Sequence, residues 1–294
     1  MIKLVIIAGP TAAGKSDAAL KTALALNGEI INADSIQTYR HFDVGSGKPS
    51  REMRAMVPHH LVDILSPDEH FSFWDYNLAA RQAISDVSSR GKLPIICGGT
   101  GLYIKAVMEN LDGGVKGDEQ LRAELVKLSK DELYARLKAL DPATAKKIHP
   151  NDTYRVLRGV ENAMLPLPKK IPQKKQIYDA EYFVLTAPKS VIYEKIGTRV
   201  EKMFEAGWID EVGGILDLGF SVDCKPFKSV GYRQIVRHLA GDIPRENLAE
   251  EVKKSTRNYA KRQMTWFSAV KGAVTLDATA APEKHIVSHL TGGK

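Results

Sequence analysis

The stretch Gly9-Pro10-Thr11-Ala12-Ala13-Gly14-Lys15-Ser16 decides the fold. It follows the apolar run Lys3-Leu-Val-Ile-Ile-Ala8 and precedes a helical pattern that reaches Leu26. A buried strand, a glycine turn of the form GxxxxGK[ST] and a helix together define a phosphate-binding loop. The chemistry is direct. The glycines let the backbone turn and aim amides at phosphate oxygens, and the helix N-terminus adds partial positive charge. Lys15 brings a point charge, and the Ser16 hydroxyl is placed to hold Mg²⁺. The loop implies a diphosphate or triphosphate ligand without specifying ATP.

Working outward, strand and helix patterns alternate. Strands are predicted at residues 3–8, 28–33, 61–65 and 93–97, with a helix over 74–89 stopped at Gly91. Such alternation predicts an α/β protein, a P-loop NTPase-like parallel-sheet core with helices on both faces. In open sheets of this kind the carboxyl ends of the strands line the ligand crevice. Asp34, after the second strand, is therefore a candidate general base or Mg²⁺ partner, or alternatively a turn or helix-capping residue. The turn Gly98-Gly-Thr-Gly-Leu-Tyr103 closes the 93–97 strand, and Thr100 offers a hydroxyl there or caps the next helix.

After about residue 112 the pattern changes. Ser129-Lys-Asp-Glu132 is a capping box that opens a helix. Pro142, Pro150 and Pro166 punctuate short helical runs, and no strong strand returns until 181–187. The predicted organisation is a catalytic core of 1–112 plus 181–294, with a helical insertion at 113–180 that a Pro- and Lys-rich loop (165–175) closes. The longest helix is predicted at 246–270.

The formal charge is +7, unevenly spread: residues 113–180 hold 14 Lys+Arg against 9 Asp+Glu, and the remainder 28 against 26. A basic insertion points to an anionic macromolecule. No apolar run approaches the roughly 20 residues that span a bilayer. The two cysteines, Cys97 and Cys224, form no CxxC pair, which fits a reduced, cytoplasmic setting and ordinary buried thiols. His59 and His60 are adjacent on a strand, point to opposite faces and so cannot share a metal; a hydrogen-bonding role is expected. Lys254, Arg257 and Lys261 share one face of the last long helix, whereas Trp266 and Phe267 are expected in the core.

Seven blocks occur in order: GPTAAGKS (9–16), INADSIQTYRHFDVGSGKP (31–49), PHHLVDI (58–64), GGTGLY (98–103), IHPNDTYRVLR (148–158), SVGYRQI (229–235) and YAKRQMTWF (259–267). This set resembles the tRNA dimethylallyltransferase (IPP transferase) family, which prenylates the adenosine at tRNA position 37 beside the anticodon. The resemblance implies dimethylallyl diphosphate as donor, its diphosphate on the loop from Thr11 to Ser16, with Mg²⁺. It implies the tRNA anticodon stem-loop as acceptor, no membrane and no obligate protein partner. Asp34 matches the general base on the adenine amine. Asp34, Ser35, Ile36 and Gln37 match a segment touching tRNA, and Thr100 a residue near both diphosphate and base. Arg122 matches a tRNA-contacting arginine, although the Pro-Asp-Pro pattern common before it is missing here. Tyr154, Arg155, Val156, Leu157 and Arg158 match a second tRNA-contacting segment, and Arg199 a diphosphate-binding arginine. The loop taken alone would favour a small-molecule kinase, and an RNA-binding protein whose loop only gates assembly is a third reading.

Overall fold

A computed structural model of the chain describes residues 1–109, 118–165 and 178–292. The chain divides into two compact units, Met1–Glu109 with Gln176–Lys294, and Asn110–Lys175.

The larger unit is built on a parallel sheet. Its elements run β1 (Ile2–Ala8), α1 (Lys15–Ala25), β2 (Gly28–Asn32), α2 (Arg51–Met56), β3 (His59–His60), α3 (Phe73–Ser89), β4 (Leu93–Gly98) and α4 (Gly101–Glu109). The strand order is β3-β2-β4-β1-β5-β6, where β5 is Tyr178–Thr186 and β6 is Val274–Asp277. Every pairing is parallel. The inner strands are buried almost end to end, as both-face coverage demands of the apolar runs in β1 and β4, and β2 also buries Glu29 and Asn32. Ser72 caps α3 in a reciprocal bond pair with Asp75, so that helix starts one residue before the predicted 74.

Two expectations change. The strand expected at 61–65 is a turn: Leu61 and Asp63 have φ of 62° and 57°, outside the strand region. Long-range bonds impose this. Asp63 N donates to Gln37 O and Ile64 N to Thr38 O, wrapping the segment around residues 37–40, and only the bridge Tyr39↔Leu65 remains. The insertion also ends before 180, because β5 starts at Tyr178, where register with β1 pairs it with Ile2.

The second part of the larger unit is mostly helical: α9 (Lys189–Glu205), α10 (Trp208–Asp217), α11 (Tyr232–Leu239), α12 (Arg245–Ser268) and α13 (Pro282–Thr291). Phe267 lies in the core as expected, but Trp266 is 40% exposed. Among the described residues no helix is long and apolar enough to cross a membrane.

The smaller unit contains α5 (Glu119–Leu125), α6 (Lys130–Leu140), α7 (Pro142–Ala145) and α8 (Thr153–Met164). Ser129 and Glu132 form the predicted capping box on α6, and Pro142 opens α7, where a missing N–H costs nothing. Its core holds Leu125, Leu133, Leu137, Ala145, Val156, Leu157 and Val160. Residues 113–117 and 166–177 of the predicted insertion, including Pro166, lie outside the described residues.

The buried carboxylate of Glu161 is the polar centre of that unit. Arg122 donates Nε to Oε1 at 2.7 Å and Nη2 to Oε2 at 2.9 Å, and Arg158 adds a further bond to Oε2. Burial would push the carboxyl up, but the two guanidiniums outweigh it and hold the pKa below 4.5. The contribution of this cluster is therefore complete above about pH 4.5 and is lost as pH falls through the lowered folded value. Removing one partner of a buried ion cluster costs about 3–5 kcal/mol. Glu161→Ala is expected to unfold the smaller unit at distinctly lower temperature or denaturant, read by calorimetry and circular dichroism, with the larger unit's transition unchanged.

Candidate functional site

The site lies in the larger unit, at the edge where β1, β2 and β4 end. After β1 the chain turns through the glycine loop, with Gly14 at φ 73° immediately before α1. Lys15, Ser16, Thr11, Asp34, Arg199, Gly98 and Gly99 line one cavity. A second cavity shares Thr11, Asp34, Arg199, Ser46 and Tyr259 with the first and extends toward Met203, Trp208, Lys228 and Arg233.

Lys15 is half-buried, and its ammonium donates to Pro10 O at 2.7 Å. Burial, with Arg199 adding to it, brings its pKa down to about 8, although Cys97 and Asp34 pull the other way. Arg199 is drawn to the same place from α9, where burial lowers its pKa against Asp34 and Asp17. Two cations thus converge on one cavity whose lining carries a single carboxylate, Asp34. That surplus is suited to a multiply charged anion. Gly47 makes the approach possible: at φ +59° it carries no Cβ, and one placed there would lie 1.9 Å from the Arg199 Nη2.

Asp34 is fixed by its neighbours. Oδ1 accepts from Ile36 N at 2.8 Å and Gln37 N at 3.4 Å, and Asp34 N donates to Asn32 Oδ1 at 3.0 Å. It is thus a turn residue, one of the two roles open to it in sequence, but the turn engages only one oxygen. No described residue bonds Oδ2, and the carboxylate lines both cavities. Asn32 also donates to Leu61 O at 3.1 Å, which ties the site to the 61–65 turn.

Thr100 joins two turns. Its main chain begins α4, where Ile104 N donates to Thr100 O, while its hydroxyl accepts from Ser35 N at 3.2 Å. Tyr259 on α12 lines both cavities, and its pKa is raised by burial first and by the Asp34 charge next. The structure therefore gathers the phosphate loop, Asp34, Ser35, Ile36, Gln37, Thr100 and Arg199 within the larger unit.

The residues matched in the smaller unit divide. Tyr154 is 72% exposed and Arg155 projects from the surface beside Asp152, but Val156 and Leu157 are core. Helical periodicity is the reason: only one face of α8 can look outward. The side chains of Val156 and Leu157 thus pack inward. Arg122 and Arg158 both hold Glu161.

Several residues escaped the sequence reading. Lys48 has a buried ammonium that donates to Tyr39 O at 2.9 Å and Asp63 at 2.6 Å and also meets Asp43. Glu211 accepts from the amides of Asp43, Val44 and Gly45 and from the Tyr232 hydroxyl. These two ion-dipole clamps hold the segment that carries Ser46 and Gly47 into the cavity. Gln263 spans the two glycine turns. None has a local sequence signal, because each partner lies far along the chain or in irregular backbone. The adjacent histidines separate as expected, His59 bonding Val57 O at 2.8 Å and His60 bonding Glu29 at 2.7 Å.

Comparison with known proteins agrees with this architecture. The family model described as IPP transferase matches residues 37–270, and one described as isopentenyl transferase matches 2–60. The chain is 43% identical over 277 residues to tRNA dimethylallyltransferase 2 of Geotalea uraniireducens, covering 91% of this chain and 89% of that one. It is 43% identical over 276 residues to tRNA dimethylallyltransferase of Geobacter sulfurreducens, covering 90% and 88%. Among solved structures, the full-length tRNA isopentenylpyrophosphate transferase of Bacillus halodurans superposes with a TM-score of 0.76 at 35% identity, over 100% of this chain and 97% of that one. A eukaryotic dimethylallyltransferase acting on tRNA superposes with a TM-score of 0.80 at 26% identity, over 99% and 78%. With the family model spanning most of its length and the glycine loop, Asp34 and Arg199 gathered at one edge of the sheet, the chain belongs to the IPP transferase family.

Proposed function

We propose that the chain transfers a dimethylallyl group from dimethylallyl diphosphate to the exocyclic amine of the adenosine at position 37 in the tRNA anticodon loop. One observation carries the reading: a carboxylate with one oxygen tied into a turn and the other left over shares a cavity with Lys15, Arg199 and the phosphate loop. Cation and amide groups suit a leaving diphosphate, and a fixed carboxylate beside them suits a proton taken from the incoming nucleophile.

The atoms balance simply. The allylic C–O bond breaks as a bond forms between that carbon and the adenine nitrogen. The electron pair leaves with the diphosphate, and the amine proton passes to Asp34. Preorganised donors stabilise the charge that builds on the leaving group. Lys15, Arg199 and the amides of Gly14, Lys15 and Ser16 fill that role. The adenine amine is a weak nucleophile because its lone pair is delocalised, so proton removal during attack matters. The target base leaves its stack at a cost of a few kcal/mol, and loop bases are where proteins read RNA by stacking and edge contacts.

Mg²⁺ fits the site. The Ser16 hydroxyl lines the cavity beside Lys15, and no group of three or more His, Cys, Asp or Glu that could hold a metal occurs among the described residues. Mg²⁺ commonly binds through one or two protein oxygens plus substrate phosphates. It would sit on Ser16 and supply charge neutralisation to the diphosphate. The exposed basic residues of the smaller unit, Arg155 among them, are suited to phosphates of the anticodon stem, in a cytoplasmic setting.

Three outcomes test this. Asp34→Asn keeps the turn-forming oxygen but not the base, so kcat is expected to fall by about 10²–10⁴ while tRNA and donor binding persist. Wild-type kcat in that variant removes Asp34 from the chemistry. Lys15 is charged below its pKa of about 8, so donor kcat/KM is expected to decline as pH rises through that value, and Lys15→Met should erase that limb of the profile. Affinity for tRNA should drop steeply between 50 and 200 mM salt, by about 10³-fold if six phosphates are neutralised; a flat response excludes electrostatic docking.

A further inference from the structure

The phosphate loop and the second glycine turn follow neighbouring strands, β1 and β4, yet their main chains are secured differently. Thr100 N at the second turn donates to Ala33 O, which ties that turn to β2. Between the two glycine turns the connection is made by one side chain, Gln263 of α12. Its Oε1 accepts from Thr11 N at 2.9 Å, and its Nε2 donates to Gly99 O at 2.9 Å. The side chain is 6% exposed and lines the cavity with Lys15 and Arg199.

The chemistry of this link is selective. A primary amide carries an acceptor and a donor on one planar group. It can therefore satisfy an N–H on one side and a C=O on the other. A carboxylate at neutral pH accepts only, and a thioether does neither effectively. The fit is close: a Cβ on Gly99 would lie 2.3 Å from the Gln263 Nε2. Tyr259, four residues earlier on the same helix face, lies beside Thr100 and lines the same cavity. One stripe of α12 thus lies along both turns.

We infer that Gln263 is a positioning residue for the donor, holding the Thr11 end of the phosphate loop at a fixed place against Gly99 so that the loop's amides converge before the diphosphate arrives. This rests on the proposed diphosphate donor. Without the amide, the half-buried Thr11 N–H and the buried Gly99 C=O lose their partners, and ordering the loop becomes a cost of binding the donor. Gln263 touches neither the reacting carbon nor the base in this role, and anticodon binding is independent of it.

Two variants attack the link from opposite sides. Gln263→Met preserves length but removes both bonds, and Gly99→Ala pushes the amide away. Each is measured for inorganic diphosphate affinity with Mg²⁺ by calorimetry, for donor KM and kcat, for affinity to an anticodon stem-loop, and for melting temperature. Both should bind diphosphate about tenfold more weakly and raise donor KM to match, with stem-loop affinity within about twofold of wild type. Because the two changes break one link, the double variant should be no worse than Gln263→Met alone. Wild-type diphosphate affinity in either folded variant overturns the inference, as does an equal loss of diphosphate and stem-loop affinity, or full additivity in the double variant. A wild-type protein that binds diphosphate but transfers no dimethylallyl group would end the proposed reaction, while the diphosphate measurement would still judge Gln263.

Discussion

Parallel pairing sets three strand ends at one edge of the sheet, and the chemistry of the molecule depends on it. Ala8 pairs with Gly98 and Asn32 with Cys97. The segments that leave these strands are thereby delivered side by side: the phosphate loop, the Asp34 turn and the second glycine turn. Each is irregular backbone with amides and carbonyls that the sheet no longer satisfies. Buried polar groups must find partners, and here they find one another: Thr100 N with Ala33 O, Thr100 Oγ with Ser35 N, Thr11 N with Gln263.

Electrostatics at this edge favour an anion. Lys15 is held near pKa 8 by burial, and Arg199 is also pulled down by burial, so both cations are destabilised where they stand. An anion bound there would relieve that. The cost is sustained by supports further out. Glu211 gathers three amides of residues 43–45, and Lys48 gathers Asp43, Asp63 and Tyr39 O. Burial opposes ionisation of Asp63, but Lys48 and Arg54 outweigh it and hold its pKa below the ordinary carboxylate value. These contacts explain why the block from residue 31 to 49 is so rich in glycine, aspartate and serine: it is a loop shaped by side chains from other elements.

The smaller unit follows a different logic. Its core is small, and one buried carboxylate organises two arginines. Arg122 and Arg158 are therefore structural groups as well as candidates for phosphate contact. Charge on this unit is legible from composition, but which charges face outward depends on the phase of α8, where Tyr154 and Arg155 are exposed and Val156 and Leu157 are not.

By itself the sequence determined what depends on neighbours within a few residues. The lysine bond of the glycine loop, the capping boxes at Ser72 and Ser129 and the turn at Asp34 rest on bonds spanning five residues or fewer, so local residue order encodes them, and the apolar runs mark buried strands without naming their partners. Tertiary structure decided the rest. It turned residues 61–65 out of the strand region, exposed Trp266, brought Arg199 against Gly47 and placed Gln263 between two turns 252 and 164 residues away. Contacts over such separations leave no periodicity or spacing in the chain. They exist only once parallel pairing has brought the strand ends together.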